Sequence, residues 1–207
     1  MASAAFRDPT NLSKWIKGFL YGLVATNIVS ILFSITNYYT GTEGNIQSGA
    51  KGLVVGLEGL AMLVTIVGAG ILILIWIYRA SRNLRYLGAD GLGYSPGWSV
   101  GWYFIPLANL WKPYGAVREI WQASSNPQNW QYEPVPAILS WWWFFWLGTN
   151  ILANISFRLS GKDDNMSILL DVVSSAMYIP LCIVFISIIT SIQKNQTRLN
   201  LSQNVFA

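Results

Sequence analysis

GWYFIPLANLWKP, Gly101 to Pro113, is apolar enough to enter a bilayer and too short to cross one. Pro106 stands inside it and Pro113 closes it. A helix entering from Trp98 loses backbone hydrogen bonding at Pro106, whereas Pro113 suits the first turn of a following helix. Trp98, Trp102, Tyr103, Trp111 and Tyr114 carry amphipathic rings that favour the headgroup level. Trp98 to Trp111, about 14 residues, thus has re-entrant or interfacial character and is no span. The stretch 98–124 reads as an elbow that breaks over Pro106–Asn109 and leads into an amphipathic surface helix from Pro113 to Ser124. Tyr114, Val117, Ile120 and Trp121 form the apolar side of that helix, and Arg118, Glu119 and Gln122 are expected to face water. Two geometries fit: a dip into the bilayer and a helix–break–helix lying on it. Asn109 is expected to cap or bridge backbone freed by Pro106; in the alternative, it belongs to a cytoplasmic gate with Trp98, Trp102, Pro106 and Pro113.

The flanks of the elbow must then lie on one side of a membrane. Four apolar runs, at about 15–38, 53–78, 137–157 and 167–192, are candidate spans. Each has about 20 residues or more, enough to cross a ~30 Å hydrocarbon core at about 1.5 Å per residue. Helices satisfy their own backbone groups in lipid, so the fold class is an all-α polytopic bundle. Composition agrees. Only 11% of the 207 residues are charged, against about 25% in soluble domains. The length suits a single domain, 1–207. The net charge of +4 is no nucleic-acid footprint, because Lys and Arg sit at the ends of apolar runs. With the N-terminus inside, Arg7, Lys14, Lys17, Arg79, Arg82, Arg85, Lys112, Arg118, Lys194 and Arg198 are cytoplasmic; Lys51, Arg158 and Lys162 are outside. That bias favours N-in, C-in. The first run, about 24 residues, exceeds the h-region of a cleaved signal and is read as retained. The second is expected to continue as helix through Arg79, Arg82 and Arg85. Turn chemistry marks 88–97, a polar loop 40–50, and a tight turn 161–165 where Asp163, Asp164 or Asn165 caps the last helix.

The chain contains no histidine and a single cysteine, Cys182. His-ligated haem, His-based zinc sites and Ser-His-Asp chemistry are excluded. Glu58 and Asp171 stand near the outer ends of the second and fourth runs. An acid within a membrane segment is a candidate ion or proton site. Ser174 and Ser175 follow Asp171 at helical spacing, and Asn150 and Asn154 offer further oxygens. Alternatively, helix-dipole and solvent contacts satisfy the acids, or Arg158 pairs with one of them as a structural clip. Trp141, Trp142, Trp143 and Trp146, in WWWFFW, must surround their helix and read as an interfacial anchor contacting lipid or a partner. Quinone or pigment contact is conceivable there, but no cofactor or metal is expected. Gly52, Gly56 and Gly59 read as a helix-packing face, Thr26 and Asn27 as interhelical hydrogen-bonders, and Pro180 as a kink.

SPGWSVGWYFIPLANLWKPY, Ser95 to Tyr114, followed by REIW, Arg118 to Trp121, resembles a bacterial membrane family catalogued as domain of unknown function 4328, with the pattern GWxxxPxxNLxxP. The resemblance implies a multi-pass protein of the bacterial inner membrane and no particular reaction. The functional expectation is a non-catalytic accessory or scaffold subunit binding lipid and other membrane proteins or its own copies. The alternative is a small oligomeric ion or proton channel, or an ion-coupled transporter, using Glu58 and Asp171. A lipid enzyme is the weakest reading, since no motif sets a nucleophile beside a base.

Overall fold

The computed structural model describes residues 6–40, 50–162 and 164–205. Every regular element among them is helical: α1 (Thr10–Thr40), α2 (Ala50–Tyr86), α3 (Pro96–Gly101), α4 (Lys112–Ser125), α5 (Ala137–Leu159) and α6 (Asp164–Val205), with 3₁₀ turns at Trp102–Phe104, Ala108–Leu110 and Trp130–Tyr132. Residues 41–49 of the expected loop 40–50, and the cap candidate Asp163, lie outside the described residues. Three helices are long and apolar enough to cross a membrane, over Thr10–Thr36, Gly52–Tyr86 and Asn165–Val205. The run at 137–157 does form a helix, α5, but it is not one of the three. Its four tryptophans and two asparagines lower its hydropathy, because an indole is amphipathic and prefers the interface to the hydrocarbon. α2 continues through Arg85 as expected, and α6 runs well past Ile192.

Contacts group the chain into two units: Met1–Lys17, Gly70–Trp141 and Phe185–Ala207 form unit one; Gly18–Ala69 and Trp142–Val184 form unit two. Unit two has large apolar side chains both inside and on its surface. Leu20, Leu23, Ala69, Trp142, Leu181 and Cys182 are buried, while Leu32, Leu57, Leu60, Val64, Ile151 and Phe157 are exposed. Such a surface suits lipid contact and would aggregate in water. Helices approach closely where a glycine faces a larger side chain: a Cβ on Gly68 would strike Phe19, one on Gly148 would strike Met177, and one on Gly22 would lie 3.2 Å from Thr65. The expected packing face is different: Gly56 and Gly59 meet nothing within 4 Å. Asn27 and Thr26 also differ from expectation. Each donates to the Leu23 carbonyl of its own helix, at 2.8 Å and 3.1 Å, which satisfies the donor without a second helix.

Unit one has an apolar core of Ile16, Trp76, Ile77, Leu84, Val117, Ile120, Leu139, Ile188 and Ile192. Trp76 meets Phe185 edge-on at 6.2 Å. Through this core runs a lattice of polar side chains.

Candidate functional site

The lattice centres on Gln196 of α6, which is 0% exposed. Its Nε2 donates to the Ala80 carbonyl at 3.1 Å and to Ser124 Oγ at 3.0 Å. Its Oε1 accepts from Asn83 Nδ2 at 3.1 Å. One amide thus joins α2, α4 and α6. Asn83 also grips the chain ahead of α1, accepting from Arg7 N–H at 3.1 Å and donating to the Arg7 carbonyl at 2.9 Å. Gln193 donates to Thr10 Oγ1, Asn195 to Ser125 Oγ, and Gln203 to the Leu87 carbonyl. Sequence reading missed this group. Its signal was present: Gln193, Gln196, Asn200 and Gln203 recur at helical spacing.

α4 corrects the expectation of an amphipathic surface helix. Glu119 is 5% exposed and Gln122 is also buried, although both were expected to face water. The cause lies in the flanking loops. Glu119 accepts the Gly93 N–H on Oε2 at 2.6 Å and the Tyr94 N–H on Oε1 at 3.2 Å. Arg85 holds the same loop from its other side, donating to the Tyr94 carbonyl at 2.9 Å. Gln122 donates to the Glu133 carbonyl, and Trp130 Nε1 to the Asp90 carbonyl at 2.9 Å. Folded over α4, these segments provide hydrogen-bond partners that water would otherwise supply. Arg118 remains exposed.

Burial pushes the Glu119 carboxyl above its ordinary value of 4.5, partly opposed by the two backbone donors and by the charge of Arg85. As pH rises past the ordinary value, the unfolded chain releases this proton first. The folded state then binds more protons, so stability falls with pH until the raised folded value is passed and then levels off. Melting curves from about pH 4 to about pH 8 should show this decline, and Glu119→Gln should remove that component. Parallel profiles for both proteins would refute the assignment.

The elbow is rooted in unit one. Ser95 caps α3, accepting the Trp98 N–H at 3.2 Å, with Pro96 in the first turn. The Trp98 and Trp102 rings pack tilted by 31° with centroids 4.7 Å apart, and Lys112 Nζ lies 5.3 Å from the Trp102 ring centroid. Helical structure breaks after Phe104, ahead of exposed Pro106, returns as the short 3₁₀ turn Ala108–Leu110, and continues in α4 from Lys112, with Pro113 buried in its first turn. Asn109 does not cap freed backbone with its side chain. Its own N–H reaches the Ile105 carbonyl at 2.8 Å, while its Oδ1 is without a hydrogen-bond partner. The tip presents large apolar groups: Phe104 is 72% and Leu107 73% exposed, and Trp98, Ile105, Leu110 and Trp111 are exposed as well.

Glu58 is half-buried, Asp171 and Arg158 are exposed, Ser174 is buried and Ser175 half-buried. Among the described residues, no hydrogen bond or ion pair joins the two acids, Arg158 and the serines. Asn150 and Asn154 each donate back to their own helix, to the carbonyls of Trp146 and Asn150, both at 2.7 Å. A cleft of about 550 Å³ lined by Ser34, Ile35, Tyr39, Asn165, Ile168, Leu169 and Val172 includes neither acid. In WWWFFW, Trp141 and Phe144 are exposed, Trp142 is buried, and Trp143 stacks on Trp146 at 4.6 Å. The aromatics surround the helix, as its 100° step requires. Trp121 is half-buried.

Spanning helices with an apolar exterior define the chain as a multi-pass helical membrane protein, here with a polar-latticed unit that carries an exposed apolar elbow. It belongs to the family described as Domain of unknown function (DUF4328), whose profile matches residues 45–194. The match takes in the elbow and Glu119 and stops just short of Gln196. No curated protein and no solved structure matches the chain.

Proposed function

We propose that the chain crosses the bacterial inner membrane four times, with both ends and the elbow cytoplasmic, and acts as a non-catalytic accessory or scaffold subunit. It holds lipid through the elbow and the WWWFFW helix, and it binds partner membrane proteins. One observation carries this reading: the apolar elbow tip stands exposed on a root fixed by hydrogen bonds. A tip of that composition is stable when lipid or protein covers it. The 23 residues of α5 reach about 34 Å, sufficient for a fourth crossing. The bias of Lys and Arg toward one side supports the orientation. Glu119 engages both carboxylate oxygens with backbone N–H groups, which suits a structural role better than substrate chemistry. An ion site at Glu58 and Asp171 has less support, since Asp171 is exposed and Ser174 buried.

Single cysteines test the topology on a Cys182→Ala background, Cys182 being buried. Asp90→Cys and Gln128→Cys should react with an impermeant reagent from one face, and Lys162→Cys from the other. Labelling of positions 90 and 128 from opposite faces would overturn the four-span reading. Native purification with mass spectrometry tests the role: a stoichiometric membrane partner is expected, and a lone homo-oligomer would refute the accessory assignment.

A further inference from the structure

Unit one contains a cleft of about 440 Å³ that shares no residue with the elbow. Thr10 and Lys17 of α1 line it together with Thr190, Lys194, Thr197 and Arg198 of α6. Three of these side chains are cations, and no acid lines the cleft. Lys194 and Arg198 are four apart on one helix, where like charges repel, and no ion pair relieves them among the described residues. The nearest acid in sequence, Asp8, is engaged beside the cleft by Thr10: its Oδ1 accepts from the Thr10 N–H at 2.9 Å and from the Thr10 hydroxyl at 2.6 Å. Thr10 Oγ1 in turn accepts from Gln193 Nε2 at 3.1 Å, which ties α1 to α6 at the cleft. Thr197 Oγ1 is buried and has no hydrogen-bond partner.

We propose that this cleft binds a phosphate group, supplied in the membrane by an anionic glycerophospholipid. Three cations and a hydroxyl call for an anion with several acceptor oxygens. The two non-bridging oxygens of a phosphodiester carry a full negative charge and can each accept more than one charge-assisted bond, and free phosphate offers further oxygens. Lys194 and Arg198 neutralise it from α6 and Lys17 from α1, and the buried hydroxyl of Thr197 gains an acceptor. Trp15, 68% exposed just ahead of Lys17, marks the headgroup level. Anionic lipids are enriched in the cytoplasmic leaflet, and basic side chains next to a span attract them. The lipid source rests on the topology proposed above; the phosphate site itself does not.

The test uses the full chain in detergent, with phosphatidylglycerol, phosphatidylcholine or sodium phosphate added separately. Melting curves and native mass spectrometry report binding. Phosphatidylglycerol should be retained and should raise the melting temperature, and phosphatidylcholine should do neither. Lys194→Gln with Arg198→Gln should cut the phosphatidylglycerol-bound fraction about tenfold or more, while Lys162→Gln, on the turn after α5, should bind as wild type does. Thr197→Val removes a hydroxyl that bonds to nothing in the folded chain, so it should fold normally and still bind several-fold more weakly. Protection by sodium phosphate as well as by lipid supports the site and identifies free phosphate as an accepted source; protection by the lipid alone supports it and assigns the source to lipid. Unchanged binding in both variants, equal retention of the two lipids, or no binding of any phosphate would overturn the proposal. Binding is read in detergent, where no leaflet exists, so a wrong topology leaves it unchanged and the two failures are distinguishable.

Discussion

Gln196→Ala is expected to destabilise unit one by about 2–4 kcal/mol. The substitution removes three hydrogen bonds from a site with no access to water: those to Asn83 Nδ2, Ser124 Oγ and the Ala80 carbonyl. Each group left unsatisfied carries a desolvation penalty of about 1–3 kcal/mol, moderated where the neighbours can rebond among themselves. A small cavity adds to the loss. Gln196→Met fills most of that volume without restoring a bond, so it should recover only the packing part. The measurement is thermal melting in detergent together with the rate of proteolysis at 88–95, the loop clasped between Glu119 and Arg85. A shift under about 0.5 kcal/mol, within the range of ordinary surface substitutions, would mean that the lattice does not hold the unit together.

Phe104→Glu with Leu107→Glu should abolish membrane contact by the elbow while leaving unit one folded. Both side chains are exposed, so no core contact is lost. In lipid the effect is large: charged side chains at depth cost on the order of 2.5–3.5 kcal/mol each on insertion scales, so the pair opposes a dip by about 5 kcal/mol. A fluorophore on Leu110→Cys, again without Cys182, reports depth through quenching by spin-labelled lipids. Acyl-chain quenching is expected in the parent and aqueous quenching in the double variant, with unchanged melting. Equal depth in both would exclude a lipid-inserted tip.

Local chemistry made the helices legible. Long apolar runs, the prolines at 106 and 113, and the absence of any breaker between Tyr78 and Arg85 are short-range signals, and the structure follows them. Burial depended on distant partners. Glu119 and Gln122 occupy the positions that periodicity assigns to water, but loops from either side of α4 cover them, and nothing within α4 announces that cover. The glycines show the same limit. Gly52, Gly56 and Gly59 have the spacing of a packing stripe, yet close approach occurs at Gly22, Gly68 and Gly148, because Thr65, Phe19 and Met177 stand opposite. Such pairings are set by tertiary arrangement. The candidate acids Glu58 and Asp171 were visible as residue types, while their surroundings depended on helix rotation, which composition does not fix.

The lattice also has a kinetic side. Gln193 bonds to a residue 183 positions away, and Gln196 bonds to one 113 positions away. At ribosomal speeds of about 5–20 residues per second, Thr10 waits roughly 10–40 s for Gln193, and Asn83 waits roughly 6–23 s for Gln196. Until Gln196 is made, Asn83 can hold Arg7 but lacks its α6 partner, and Ser124 Oγ has only water or a chaperone to bond with. During that interval a protease that recognises unclosed chains can distinguish an unfinished molecule from a completed one.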